Sequence, residues 1–151
     1  MSQTNYYLED LMIGDRFSSG QATITESEIK SFASQFDPQP FHLNNEVAKE
    51  TFFKGLAASG WHTAAIAMRL LVESEFKPAG GLIGAGVDDL KWHRPVRVGD
   101  RLTLDIEIVD IRPSKSKPNQ GIVRLKVTTL NQKGEEVLSY IANLVLRRRV
   151  T

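Results

Sequence analysis

The stretch Gly60-Trp61-His62-Thr63-Ala64-Ala65-Ile66-Ala67-Met68 runs on into Arg69-Leu70-Leu71-Val72 and carries no charge before Arg69. It is long enough for a helix, and it is apolar nearly all round. A helix without a polar face is expected to be buried. The alanines keep it thin, so other backbone can approach closely. It should end near Glu73 to Phe76, ahead of Lys77-Pro78-Ala79-Gly80-Gly81.

Outward from this segment the two halves of the chain read differently. Downstream, period two takes over. Leu102, Leu104, Ile106 and Ile108 alternate with polar residues, as do Val123, Leu125 and Val127, and again Leu138, Tyr140, Ala142, Leu144 and Leu146. That is the mark of antiparallel strands with one buried face. Asn131-Gln132-Lys133-Gly134 reads as a hairpin turn, Pro113 to Gly121 as a longer polar loop, and Leu82 to Arg94 as a further strand weakened by Gly84 and Gly86. Upstream, Ile13-Gly14-Asp15-Arg16 reads as a turn and Phe17 to Ile24 as one short strand. Thr25 and Glu28 have the spacing of a capping box, and Ile29, Phe32, Ala33 and Phe36 continue as an amphipathic helix that Pro38 ends. Asn44 or Asn45 caps a short helix through Glu46, Val47, Ala48 and Thr51, which Gly55 closes. One antiparallel sheet of about five or six strands and one apolar helix are most simply buried together by curling the sheet around the helix. This is an α+β arrangement.

Composition narrows the function. The chain has 151 residues, 41% of them hydrophobic, and is read as a single domain over 1–151. Its 19 basic and 18 acidic residues give a net charge of +1, without the basic excess of a nucleic-acid-binding domain. There are no cysteines, which removes disulfides, thiolate metal sites and cysteine nucleophiles. Residues 1–10 lack the pattern of a signal peptide, and no run approaches a membrane span. The expectation is a soluble cytoplasmic protein with no nucleic-acid or membrane partner.

The residues with chemistry lie in Asp37-Pro38-Gln39-Pro40-Phe41-His42. An acid and an imidazole stand five apart, a poor helical spacing, and each proline restricts itself and the residue before it. Asp37 and His42 are therefore expected on a stiff, extended loop. Such a loop suits an acid/base pair whose rate depends on fixed geometry. Taken alone, Asp37-Pro38 also reads as a plain turn, and His42 as a packed histidine.

This hexapeptide resembles the D-x-N-P-x-H motif of MaoC-like dehydratases, the (R)-specific enoyl-CoA hydratases of the hot-dog fold. The likeness covers nearly the whole chain. The motif comes first; Ser59-Gly60 then opens the central helix, where the family typically has His-Gly. Trp92-His93-Arg94-Pro95-Val96-Arg97-Val98-Gly99-Asp100 later resembles the family's turn before its next long strand. The resemblance implies that Asp37 and His42 hold a water over an enoyl thioester. His42 is taken as the base toward water, since imidazole titrates near neutrality. Asp37 is taken as orienting group and partner acid. A coupled pair has no unique microscopic assignment, so the reverse division of roles stays open. The resemblance also gives the thioester oxygen to the Gly60 N–H at a helix N-terminus. It implies substrate contacts from Gln39, Ser59, Trp61 and Thr63. Gln39 replaces the family's Asn. Ala64 and Ala65 stand where a helix serine is common, leaving Thr63 as the nearby hydroxyl. Both departures bear on substrate choice.

The implied substrate is an acyl-CoA or acyl carrier protein thioester, with no cofactor and no metal, in a homodimer or higher homo-oligomer whose sites lie at the interface. A hot-dog acyl-CoA thioesterase and a non-catalytic acyl-thioester-binding subunit are the alternatives. Other candidates read as structural. His62 is taken as a packed helix residue, His93 as surface or interface, and Arg147-Arg148-Arg149 as a solvated end before a phosphate clamp. Lys115 and Lys117 are treated with the same caution. Asp88 and Asp89 are discounted as a thioesterase carboxylate, because they lie away from the central helix. No two histidines have the spacing of a zincin helix.

Overall fold

A computed structural model describes residues 5–149. Six strands form one antiparallel sheet: β1 (Arg16–Ser18), β2 (Ala22–Thr23), β3 (Ile83–Trp92), β4 (Arg101–Pro113), β5 (Gln120–Leu130) and β6 (Glu136–Arg147). The order is β1-β4-β5-β6-β3, with β2 also on β4. Four helices precede the long strands: α1 (Glu26–Phe36), α2 (Pro40–Leu43), α3 (Asn45–Ala48) and α4 (Gly60–Val72). The sheet curls around α4, which is the hot-dog fold.

The period-two residues make the floor of the core. Leu102, Leu104, Ile106 and Ile108 on β4, Val123, Leu125 and Val127 on β5, and Leu138, Leu144 and Leu146 on β6 are all buried. The registers set Ile106 against Val127 and Leu125 against Ala142, so the inward residues of neighbouring strands share one face. Asn131–Gly134 turns β5 into β6: the Asn131 N–H donates to the Glu135 carbonyl, and Gly134 takes φ 73°. Phe17 and Phe76 close one end of the core at 5.2 Å between ring centroids.

Helix α4 departs from the expectation of all-round burial. Thr63, Ala67, Leu70 and Leu71 share an i, i+4, i+7, i+8 stripe and are buried. Trp61, Ala65, Met68 and Val72 form the opposite stripe and are exposed. The sheet covers one face of the helix, and among the described residues the other face stays exposed. The edge strand β3 shares this exposure through Ile83, Val87 and Trp92. Its pairing with β6 is interrupted by irregularities at Gly84/Gly86 and Asp88/Lys91.

Two further readings change. Phe17 to Ile24 is two short strands rather than one, both on β4; between them the Ser19 hydroxyl receives the Leu104 N–H at 2.8 Å and takes the place of a ladder bond. The Asp37–His42 segment is extended only at its start. Asp37 (φ −153°, ψ 68°) caps α1, and Gln39 is extended, but His42 lies inside the one-turn helix α2. Pro40 explains the difference. It occupies the first turn, where the N–H it lacks has no intrahelical acceptor and its fixed φ already suits the helix.

Other local signals hold in part: Thr25 caps α1 without the reciprocal Glu28 bond to its backbone N–H, and α3 stops at Ala48, short of Thr51. The Thr25 hydroxyl accepts from the Glu28 N–H at 3.2 Å and donates to the Glu28 carboxylate at 2.6 Å; such a cap is worth about 1 kcal/mol. Asn44 caps α3 by accepting from the Val47 N–H. Gly14 supplies φ 97° in the turn before β1. Among the described residues no helix is long and apolar enough to cross a membrane.

Candidate active site

The end of α1, helix α2, the start of α4 and the segment after β3 meet around a cavity of about 600 Å³. Asp37, Gln39, His42, Gly60, Trp61 and Thr63 line it, with aromatic walls from Phe41, Phe52, Phe53 and Trp92. His42 is buried at 4% exposure. Its Nδ1 lies 2.6 Å from the Ala57 carbonyl oxygen. A carbonyl can only accept, so Nδ1 carries the proton and donates it. Nε2 is thereby the atom aimed at Asp37, 3.2 Å from Oδ2. The Phe41 ring stands edge-on to the imidazole with centroids 4.6 Å apart, and Phe53 lies 5.9 Å away. Aromatic packing thus holds the ring orientation, and the hydrogen bond to the Ala57 carbonyl sets the tautomer.

Asp37 has its two oxygens divided. Gln39 Nε2 donates to Oδ1 at 2.5 Å, and Oδ2 faces His42. Burial alone would raise the Asp37 carboxyl. Hydrogen bonds from Gln39 and Ser59 and the charge of His42 outweigh that and hold it below the ordinary aspartate value. At neutral pH it is a carboxylate. The amide of Gln39 thus lands on Asp37. Replacing Gln39 with Leu removes one of the groups that lower Asp37. The Asp37 carboxyl is then expected to titrate at higher pH than in wild type, read from its side-chain carboxyl 13C shift against pH. An unchanged carboxyl titration would show that Gln39 does not set Asp37.

At the start of α4, Ser59 is fully buried and its hydroxyl accepts from the Trp61 N–H at 3.3 Å. Ser59 is an N-cap beside Asp37 and does not line the cavity. Thr63 donates to the Ser59 carbonyl at 3.4 Å. The Gly60 N–H, at the first helical position, has no intrahelical acceptor available and belongs to the positive end of the helix. Its carbonyl receives the Trp92 indole N–H at 2.8 Å. A Cβ at Gly60 would stand 2.7 Å from Trp92 Cε2 and Nε1. Helix propensity favours alanine over glycine by up to about 1 kcal/mol; the indole contact decides against it. Trp92 and Trp61 meet edge-to-face at 5.1 Å.

Of the remaining candidates, His93 lines the cavity beside Trp92, while His62, Asp88, Arg148 and Arg149 lie away from it. His62 points the other way and stacks on Phe32 with centroids 4.9 Å apart; its Nδ1 is buried without a partner. Desolvation lowers its pKa, against the pull of Glu28. His93 meets the Ser139 hydroxyl at 2.7 Å. Arg148 and Arg149 pair with Glu9 and Asp10, and Asp88 pairs with Arg124. Among the described residues no group of three or more His, Asp or Glu side chains is placed to hold a metal ion. Sequence reading missed Trp92, Phe52, Phe53 and Arg97. The aromatic pair just after α3 was the available signal for two of them.

The sheet wrapped on α4 defines a hot-dog protein, with an Asp–His pair beside the N-terminus of that helix. The family model described as "MaoC like domain" matches residues 12–131, and the chain belongs to the MaoC-like family. It is similar to the crystal structure of a MaoC-like dehydratase from Rhodospirillum rubrum, with 50% identity, a TM-score of 0.93, and coverage of 97% of this chain and 100% of that one. It is 33% identical over 116 residues to the (R)-specific enoyl-CoA hydratase of the same organism, covering 73% of this chain and 74% of the relative. It is 29% identical over 141 residues to the YdeM protein of Bacillus subtilis, covering 93% and 99%.

Proposed function

We propose that the protein hydrates an enoyl thioester, or dehydrates a 3-hydroxyacyl thioester, carried on CoA or acyl carrier protein. The observation that carries this reading is the His42–Asp37 pair, with His42 Nδ1–H held on the Ala57 carbonyl and Nε2 turned to Asp37 Oδ2 at 3.2 Å, in one cavity with Gly60. In hydration, a water held between the two groups gives a proton to His42 Nε2 as its oxygen bonds to Cβ. The Cα=Cβ electrons move toward the thioester carbonyl, whose oxygen gains negative charge and is met by the Gly60 N–H. Cα then takes the proton back from the pair, and the Asp37 carboxylate steadies the imidazolium in between. Water is consumed, both of its hydrogens end on the product, and no electrons leave the system.

The exposed apolar stripe of α4, with Trp61, Met68 and Val72, adjoins the exposed edge strand β3. Apolar surface of this kind together with a free strand edge marks an interface. A second copy of the chain is its occupant in this reading, which places Trp61 and Trp92 beside the interface and the cavity at once.

A spectrophotometric assay over a panel of trans-2-enoyl-CoA chain lengths tests the proposal. Loss of enoyl absorbance without release of free thiol is the expected result. Free thiol from saturated acyl-CoA would replace it with the thioesterase reading, and binding without turnover at any chain length would leave a binding subunit.

A further inference from the structure

We infer that Arg97 is a positioning residue for His42, acting through the Ala57 carbonyl; this rests on the hydratase reading above. Arg97 follows β3 in the stretch that leads into β4. It is half-buried and does not line the cavity. Its guanidinium is spent on backbone: Nη2 donates to the Phe53 carbonyl at 2.5 Å, and Nη1 donates to those of Gly55 and Leu56 at 3.0 and 3.1 Å. Its own N–H donates to Asp100 Oδ2 at 2.9 Å, which ties the residue to the start of β4.

The three carbonyls belong to consecutive turns of one short loop. Their dipoles converge on one point and would repel each other without a cation there. Charge-assisted bonds from a planar fork are the strong kind, and a lysine ammonium does not reproduce the fork. The same loop contains Lys54 at φ 56°, a left-handed conformation that a lysine does not favour. Gly55 lies against the fork, since a Cβ there would stand 3.4 Å from Nη1.

The next residue along is Ala57, the acceptor for His42 Nδ1–H. Ala57 is held on its other side by its N–H to the Phe41 carbonyl at 3.1 Å, and Ala58 by its N–H to the Val96 carbonyl at 2.9 Å. Arg97 thus fixes the loop whose last carbonyl selects the His42 tautomer. If that carbonyl turns away, the ring proton can sit on either nitrogen, and only one of the two tautomers offers Nε2 as a base. The loss falls on the competent fraction of enzyme rather than on the affinity for the thioester.

The test compares wild type with Arg97→Met and Arg97→Lys by His42 ring 15N NMR, by kcat and KM for crotonyl-CoA, and by thermal melting. Wild type is expected to show Nδ1–H alone. Arg97→Met is expected to show mixed tautomers, with kcat lower by roughly 10-fold or more and KM nearly unchanged. Added guanidinium should restore part of kcat. Arg97→Lys should fall between, and it carries the comparison if Arg97→Met does not fold. A kcat loss with the His42 tautomer unchanged would reduce Arg97 to a loop clamp and overturn the inference, as would unchanged tautomer and kcat together. If wild type does not hydrate enoyl-CoA, the hydratase reading fails while the NMR comparison still decides whether Arg97 sets the His42 tautomer.

Discussion

Asp37→Asn and His42→Ala are each expected to lower kcat/KM for crotonyl-CoA hydration by at least about 10², the scale of general acid–base assistance. The two variants fail for different reasons. His42→Ala removes the base and leaves the Ala57 carbonyl without its donor. Asp37→Asn keeps the shape, but the amide can place an NH2 where Oδ2 stood, 3.2 Å from Nε2. That NH2 donates to the Nε2 lone pair and occupies the site where water's proton must go. It also removes the carboxylate that steadies the imidazolium. Asp37→Asn should therefore cost nearly as much as the loss of the histidine, and the double variant little more than either alone, because the two groups act as one unit. Circular dichroism separates misfolding from lost chemistry. Near-normal rates in both folded single variants would sink the assignment.

The parts of this fold that were legible in the sequence are those in which local pattern and tertiary role coincide. Leu102 to Ile108 alternate because one face of β4 lies on the core, and the alternation survives because the neighbouring registers agree with it. The ends of α1 were legible because Thr25, Glu28 and Pro38 act within a few residues of themselves. What was not legible depends on long-range contacts. Helix α4 reads as apolar all round, yet its exposed stripe emerges only when one sheet is seen to cover one side. The residue pair Asp37 and His42 was legible, but not the one-turn helix that turns His42 back, nor the Ala57 carbonyl fifteen residues away that fixes its proton. Arg97 was quoted inside a motif and given no role, because its partners are backbone carbonyls more than forty residues earlier, and a backbone carbonyl leaves no trace in residue identity. The family resemblance points to Gly60 for its N–H; the structure adds Trp92, from a strand thirty-two residues on, as the neighbour that excludes a side chain there.

Gly60→Pro is expected to lower kcat by roughly 10²–10³ relative to Gly60→Ala, the scale of one lost oxyanion donor. Proline at the first position of a helix keeps the helix, since its fixed φ suits that position and the N–H there has no intrahelical acceptor. Residue 59 also accommodates it: Ser59 has φ −55° and ψ 140°, the extended conformation that a following proline requires. The substitution therefore removes the N–H while leaving α4 in place. It also adds a Cβ, which would stand 2.7 Å from the Trp92 ring and force the indole off the Gly60 carbonyl. Gly60→Ala carries the same Cβ and displaces the same indole but keeps the N–H. The Cβ contact with Trp92 is common to both variants, so their ratio reads the lost donor together with the ring Cδ that takes its place. Gly60→Ala alone measures what the Trp92 contact is worth to the site. In the proposed mechanism the donor meets an oxygen whose negative charge grows in the transition state, so loss of the donor falls on kcat, and a rise in KM reports the bulk of the proline ring. Equal rates for the two variants would show that the Gly60 N–H stabilises no developing charge. The thioester oxygen would then need another donor among the groups that line the cavity.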